Sequence, residues 1–189
     1  HREYIAAGAD VIETNTFSAS RVRLEHLGQG HRAGEINRRA AQLAREAREV
    51  SGVDVLVAGS IGPVSSPLHG PGHLSPEAAA EAVTEQLESL LEGGIDLVQL
   101  ETSGDITHLL AAIEAARRLS DLPIVASMTF GDDLNVADGT DAGTAARTLR
   151  EAGADVIGVN CGSGPIAGID VLEQMAPAAG GSGLVMLTN

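Results

Sequence analysis

Lysine and tryptophan are missing from these 189 residues, and cysteine occurs once. Without a lysine amine the chain has no Schiff-base nucleophile, no pyridoxal anchor and no P-loop phosphate ligand, so those chemistries are excluded. Aromatic rings are limited to Tyr4, Phe17 and Phe130, too few for the stacking platforms that hold single-stranded bases. The 12 basic residues are all arginines and face 26 acidic ones, which leaves a net charge of -14. Such a chain repels phosphate backbones and anionic lipid, so no nucleic acid and no membrane is expected as a partner. No apolar run approaches the ~18 residues of a membrane span, and no charged-then-apolar leader opens the chain. One cysteine makes no intrachain disulfide, so an oxidising compartment would add nothing. The expected location is cytoplasmic.

What is present is a repeat. Ala-Gly-Ala-Asp-Val-Ile occupies 7–12 and returns at 152–157, with Gly-Gly-Ile-Asp-Leu-Val at 93–98 as a variant. Each copy reads as a helix-ending glycine followed by a short buried strand. Further strands are expected at 53–58, 124–128 and 184–187, six in all. Helical periods separate them. Ile36, Ala40, Leu43, Ala47 and Val50 share a face of a helix near 32–50, and Ser75-Pro76 opens a second helix that Gly93 ends. Asp105 caps a third, carrying Ile106, Leu109, Leu110, Ile113 and Ala116, while 141–152 packs Ala142, Ala145, Ala146 and Leu149. Alternating strands and helices at this spacing predict the α/β class and a (β/α)8 TIM barrel, a fold of about 250 residues. Residues 1–189 are expected to form a single domain, an incomplete barrel of six βα units that begins inside a helix and stops just after a strand.

In such a barrel the C-terminal strand tips converge on one mouth, where ligands bind. The tips carry Glu13-Thr14-Asn15-Thr16-Phe17, Gly59-Ser60-Ile61-Gly62-Pro63, Glu101-Thr102-Ser103, Thr129-Phe130, Asn160-Cys161-Gly162 and Thr188-Asn189. A carboxylate at a strand end, as at Glu13 and Glu101, needs a partner, which is a neighbouring arginine, loop amides or a ligand's ammonium. Cys161 is either a small buried hydrophobe or a thiol offered to a metal or an electrophile. His69 and His73 are four apart, but Gly-Pro-Gly lies between them and breaks any helix that would align them. Asp132, Asp133, Asp138 and Asp141 lack the spacing of a calcium loop and read as a solvated acidic turn.

Four ordered segments resemble the homocysteine S-methyltransferase family: Ile12-Glu13-Thr14-Asn15-Thr16-Phe17, Val57-Ala58-Gly59-Ser60-Ile61-Gly62-Pro63, Leu100-Glu101-Thr102 and Gly158-Val159-Asn160-Cys161. The resemblance implies methyl transfer to the thiol of homocysteine, giving methionine. It implies zinc held by three cysteine thiolates, with Cys161 as one of them. Glu101 would hold the substrate ammonium, and Glu13, Asn15, Thr102 and Asn160 would shape the pocket. The implied methyl donor is methylfolate, methylcobalamin, S-methylmethionine or S-adenosylmethionine, and the bacterial domains that the chain resembles are often fused to a reductase domain. Two family motifs are absent: the Gly-Gly-Cys-Cys segment that carries the other two zinc thiolates, and the Asp-Gly-Gly of the first strand. The isolated chain is therefore expected neither to hold zinc tightly nor to turn over. The competing expectation is a barrel that binds a small amino acid or a partner without zinc.

Overall fold

The computed structural model describes residues 1–64, 73–162 and 164–187; the expected sites at His69 and at the Thr188-Asn189 tip lie outside them. Helices and strands alternate as α1 (Arg2–Ala6), β1 (Val11–Glu13), α2 (Arg21–Glu25), α3 (Ala33–Ser51), β2 (Leu56–Ile61), α4 (Pro76–Gly93), β3 (Leu97–Ser103), α5 (Ile106–Leu119), β4 (Ile124–Met128), α6 (Ala142–Glu151), β5 (Val156–Asn160), α7 (Pro165–Ala179) and β6 (Gly183–Leu187). All five strand pairs are parallel, and the sheet order β1-β2-β3-β4-β5-β6 follows the chain. Each unit thus adds its strand beside the last one, the topology of a (β/α)8 barrel with six βα units in place.

Two-residue alternation divides the sheet's faces. Ile12, Val57, Val98, Leu100, Ile124, Ala126, Met128, Ile157 and Val159 pack with the helices in one core. The residues between them, Ser60, Gln99, Ser127 and Asn160, face the other way, and all are buried polar side chains. Caps fix the helix starts: Ser75 accepts from Ala78 N and Asp105 from Thr107 N and His108 N, as the sequence predicts, and Asp141, which the sequence reads as part of an acidic turn, accepts from Thr144 N. The repeated aspartates have a structural task of their own. Asp96 Oδ2 accepts from Val57 N and Arg48, and Asp155 Oδ2 accepts from Ile124 N and Arg117, so each pins a strand start to the strand before it.

Three details depart from the sequence reading. The second strand runs Leu56–Ile61 rather than 53–58, because Gly59 and Ser60 stay extended and pair with Val98 and Gln99. Helix α3 buries Ala33, Asn37, Ala41, Ala44 and Ala47, leaving Leu43 and Val50 exposed. Its alanine stripe lets α4 come close: a Cβ on Gly93 would lie 2.5 Å from Ala41 Cβ and 2.7 Å from Arg38 O. Two bulky faces would hold the helices apart. The third is α7, which the periodicity did not disclose; it starts on Pro165 and carries Pro177 in its last turn.

Candidate functional site at the strand tips

Ser60, Glu101, Ser127 and Asn160 come from four neighbouring strands and meet on the inner face of the sheet. Asn160 is the hub. Its Oδ1 accepts from Thr102 N at 2.7 Å and from Ser127 Oγ at 2.8 Å, and its Nδ2 donates to Thr102 Oγ1 at 2.6 Å. The same Nδ2 stands 3.4 Å from Glu101 Oε2 and 3.6 Å from Cys161 Sγ. Ser60 Oγ donates to the other carboxylate oxygen, Glu101 Oε1, at 2.6 Å. Strands lie about 4.8 Å apart, so bonds from β3 to β5 across β4 require side chains that converge inward on a curled sheet. Glu101 and Cys161 are half-buried, at the boundary between this network and solvent.

Backbone strain marks two of the same residues. Thr102 has φ 60° and Cys161 has φ 57°, left-handed conformations that side-chain-bearing residues seldom adopt and that a β-branched threonine adopts least readily. Asn160 holds Thr102 there through its bonds to both the backbone N–H and the hydroxyl. Cys161 N donates to Leu187 O at 3.0 Å, and Gly162 follows because a Cβ there would meet Phe130 O at 2.7 Å. The thiol is therefore set by a tight turn, with Thr102 Oγ1 3.8 Å away.

The β1 tip is built separately. Thr16 Oγ1 donates to Ser60 O and Ser60 N donates to Thr14 Oγ1, while Gln86 Nε2 reaches from α4 to Thr16 O. Phe17 lies against Gly62, where a Cβ would come within 2.5 Å of the ring. On this tip the Glu13 carboxyl is held above the usual carboxylate range, first by desolvation among surrounding protein atoms and second by the charge of Glu101. The side chain keeps solvent access, so the effect is modest. Asn15 is exposed and makes no hydrogen bond to the other sequence-predicted residues among those described. The structure therefore joins Glu101, Thr102, Asn160 and Cys161 directly, sets Glu13 within electrostatic reach of them, and leaves Asn15 on the lip. Ser127 was not singled out from sequence; its hydroxyl sits at an inward position of an otherwise apolar strand, which is the signal that was available.

A raised carboxyl pKa makes the folded state bind a proton more tightly than the unfolded chain does. Stability then falls as pH rises from the unfolded pKa through the folded one. Glu13→Gln is accordingly expected to raise the unfolding temperature at pH 7 and to leave it unchanged at pH 4, a difference that paired thermal melts would detect.

Zinc needs about three protein donors. Among the described residues no three His, Cys, Asp or Glu side chains converge on one point, and the Asn160 amide and the Thr102 hydroxyl lie beside Cys161 Sγ. These residues offer one thiol and do not by themselves make a zinc site. The acidic turn is committed to the backbone: Asp133 accepts from Asn135 N, Asp138 from Ile106 N and Thr140 N, and Asp141 from Thr144 N. His73 stacks on His108 with ring centroids 5.1 Å apart. A cavity of about 590 Å³ adjoins the network at Glu101 and Thr102 and is walled by Leu100, Leu109, Phe130 and Val136.

The chain matches the family model described as homocysteine S-methyltransferase over residues 1–189. It is 32% identical over 173 residues to methionine synthase of Mycobacterium tuberculosis, a match covering 87% of this chain and 14% of that protein. It is 31% identical over 186 residues to betaine–homocysteine S-methyltransferase 1 of Danio rerio, covering 97% of this chain and 45% of that one. The chain thus spans under half the length of either relative. In fold it is similar to the metallated form of the homocysteine methyltransferase MmuM from Escherichia coli, with a TM-score of 0.78 at 24% identity over 100% of this chain and 77% of that one.

Proposed function

The chain belongs to the homocysteine S-methyltransferase family, and from that premise we propose that it binds homocysteine at its strand tips and takes part in methylating the thiol to give methionine. The observation that carries this reading is the Asn160 amide, which touches the Glu101 carboxylate and the Cys161 sulfur together. Homocysteine presents an ammonium at one end and a thiol at the other, so its recognition needs a carboxylate and a sulfur-seeking position a few ångströms apart.

In this reading Glu101, steadied by the Ser60 hydroxyl, takes the ammonium, a charge-assisted contact. Asn160 and Thr102 fix the depth of the pocket, and Glu13 and Asn15 form its lip. Ammonium binding beside Glu13 and Glu101 relieves the repulsion between the two carboxylates. Cys161 would be one ligand of the zinc that the family name implies, with the other donors coming from outside the described residues; the 189-residue chain alone is expected to purify with well under one zinc. The methyl group arrives on a donor bound through sulfur, nitrogen or cobalt, and the cavity beside Thr102 leaves room for it. No helix among the described residues is long and apolar enough to cross a membrane. We place the reaction in the cytoplasm, where a lone thiol stays reduced.

The test is methionine formation by the zinc-loaded protein that carries this chain, given L-homocysteine and each donor class in turn. Wild-type protein is expected to turn over with one of them, and Cys161→Ser to lose about a hundredfold or more, since even the outer partners of a metal's ligands cost about 10–100-fold when removed. Undiminished turnover in Cys161→Ser, or none in wild type with any donor, would overturn the reading.

A further inference from the structure

Helix α4 buries one amide among apolar neighbours. Gln86 is 2% exposed and lies on the face that carries Val83, Leu87 and Leu90. Its Nε2 donates to Thr16 O at 2.8 Å and to Asn37 Oδ1 at 3.2 Å, while its Oε1 has no partner among the described residues. The orientation is forced: Asn37 Nδ2 donates to Ala19 O and Ala33 O, so Asn37 turns an acceptor toward Gln86. A buried oxygen without a donor costs stability that an apolar side chain here would avoid. What the amide supplies in return is the grip of its nitrogen on Thr16.

That grip leads to Glu101. Strand β1 ends at Glu13, and two threonine hydroxyls take over the next ladder bonds to β2. Thr16 Oγ1 spends its one proton on Ser60 O at 2.7 Å; Thr14 Oγ1 therefore donates to Thr16 Oγ1 at 2.6 Å and accepts from Ser60 N at 3.0 Å. Ser60 is thus held at both of its backbone polar atoms, and its Oγ donates to Glu101 Oε1 at 2.6 Å. Gln86, Thr16, Thr14 and Ser60 are each at most 3% exposed, so bulk water does not compete for these bonds.

We infer that Gln86 is a positioning residue: by fixing the turn that carries Thr14 and Thr16 it sets, through Ser60, the angle at which the Glu101 carboxylate meets the substrate ammonium. This inference rests on the homocysteine reading above and adds to it a residue of the helix layer that itself touches no substrate. Without Gln86, Thr16 O is left to Ala19 N, a bond inside the same turn, and the hydrogen bond from the turn to α4 is lost. The two hydroxyls then follow the turn, and Ser60 follows the hydroxyls.

The test compares L-homocysteine with 4-sulfanylbutanoate, the same molecule without its amino group, by titration calorimetry on the zinc-loaded protein that carries this chain. Gln86→Met keeps the length of the side chain and removes both N–H donors. It is expected to weaken L-homocysteine about tenfold, within the range that a bonded network exerts on a site it does not touch, and to leave the analogue within about twofold. Leu149→Ala empties volume in the core on α6, away from this path. It is expected to lower the unfolding temperature and to leave both ligands within about twofold, which separates positioning from lost stability. Should Gln86→Met fail to fold, Thr16→Val cuts the same path one step nearer Glu101 and is expected to show the same selective loss. A loss below about threefold for L-homocysteine, or an equal loss for the analogue or in Leu149→Ala, overturns the inference while the homocysteine reading stands. Failure of wild-type protein to bind L-homocysteine overturns both.

Discussion

Replacing Glu101 with glutamine is expected to lower kcat/KM for homocysteine by about two orders of magnitude. The substitution keeps the shape and still accepts the Ser60 hydroxyl, giving up the 3.4 Å contact from Asn160 Nδ2; its main effect is to remove the negative charge opposite the substrate ammonium. Removing one partner of a buried ion pair costs about 3 kcal/mol or more, and 1.4 kcal/mol is tenfold. The ammonium meets Glu101 before and during methyl transfer alike, so the loss belongs in KM with kcat little changed. Steady-state kinetics beside a thermal melt check both halves. A change of less than about fivefold would mean that Glu101 is structural and that the ammonium is bound elsewhere.

The second large effect falls on Asn160. Truncation to alanine strips the partner from the Thr102 N–H and the Ser127 hydroxyl and removes the brace that keeps Thr102 left-handed. Each buried group left unpaired costs about 1–3 kcal/mol, so Asn160→Ala is expected to destabilise by about 3 kcal/mol. For a chain of this length that lowers the unfolding temperature by about 6–12 °C. Homocysteine affinity is expected to fall with it, because Glu101 and Cys161 lose the amide they share. Asn160→Asp separates the two roles. It retains the acceptor for Thr102 N and Ser127 but places a carboxylate beside Glu101, so it should recover part of the stability and none of the binding. Calorimetric unfolding of the two variants would show this ordering, and equal stability of Asn160→Ala and wild type would contradict it.

Much of the scaffold was legible because local chemistry dictates it. Ser75, Asp105 and Asp141 are cap residues by type and cap helices in the structure, and the Ala-Gly-Ala-Asp repeats end helices and start strands. The buried face of α3 is not the one its bulky residues suggest, because close approach to Gly93 selects alanines. Helix α7 was missed because Gly168 and Pro177 weaken its period, and tertiary packing of Val171 and Met175 overrides them. At the strand tips, the sequence pattern singles out Glu101, Asn160 and Cys161, which the structure brings into one network. The left-handed Thr102 has no signature in composition or spacing, since the side chain that bonds both its N–H and its hydroxyl is Asn160, 58 positions away. Gln86 is equally silent: in sequence it is one polar residue in a helix, and its bond to Thr16, 70 positions away, exists only once α4 packs beside the β1 tip.

The most direct measurement is a crystal structure of the zinc-loaded protein soaked with L-homocysteine. The ammonium should lie within hydrogen-bonding distance of Glu101, with the sulfur on the Cys161 side of the Asn160 amide. Homocysteine lodged instead in the apolar cavity by Leu109 and Val136, with Glu101 bonded only to Ser60 and Asn160, would contradict the assignment of this rim as the substrate site.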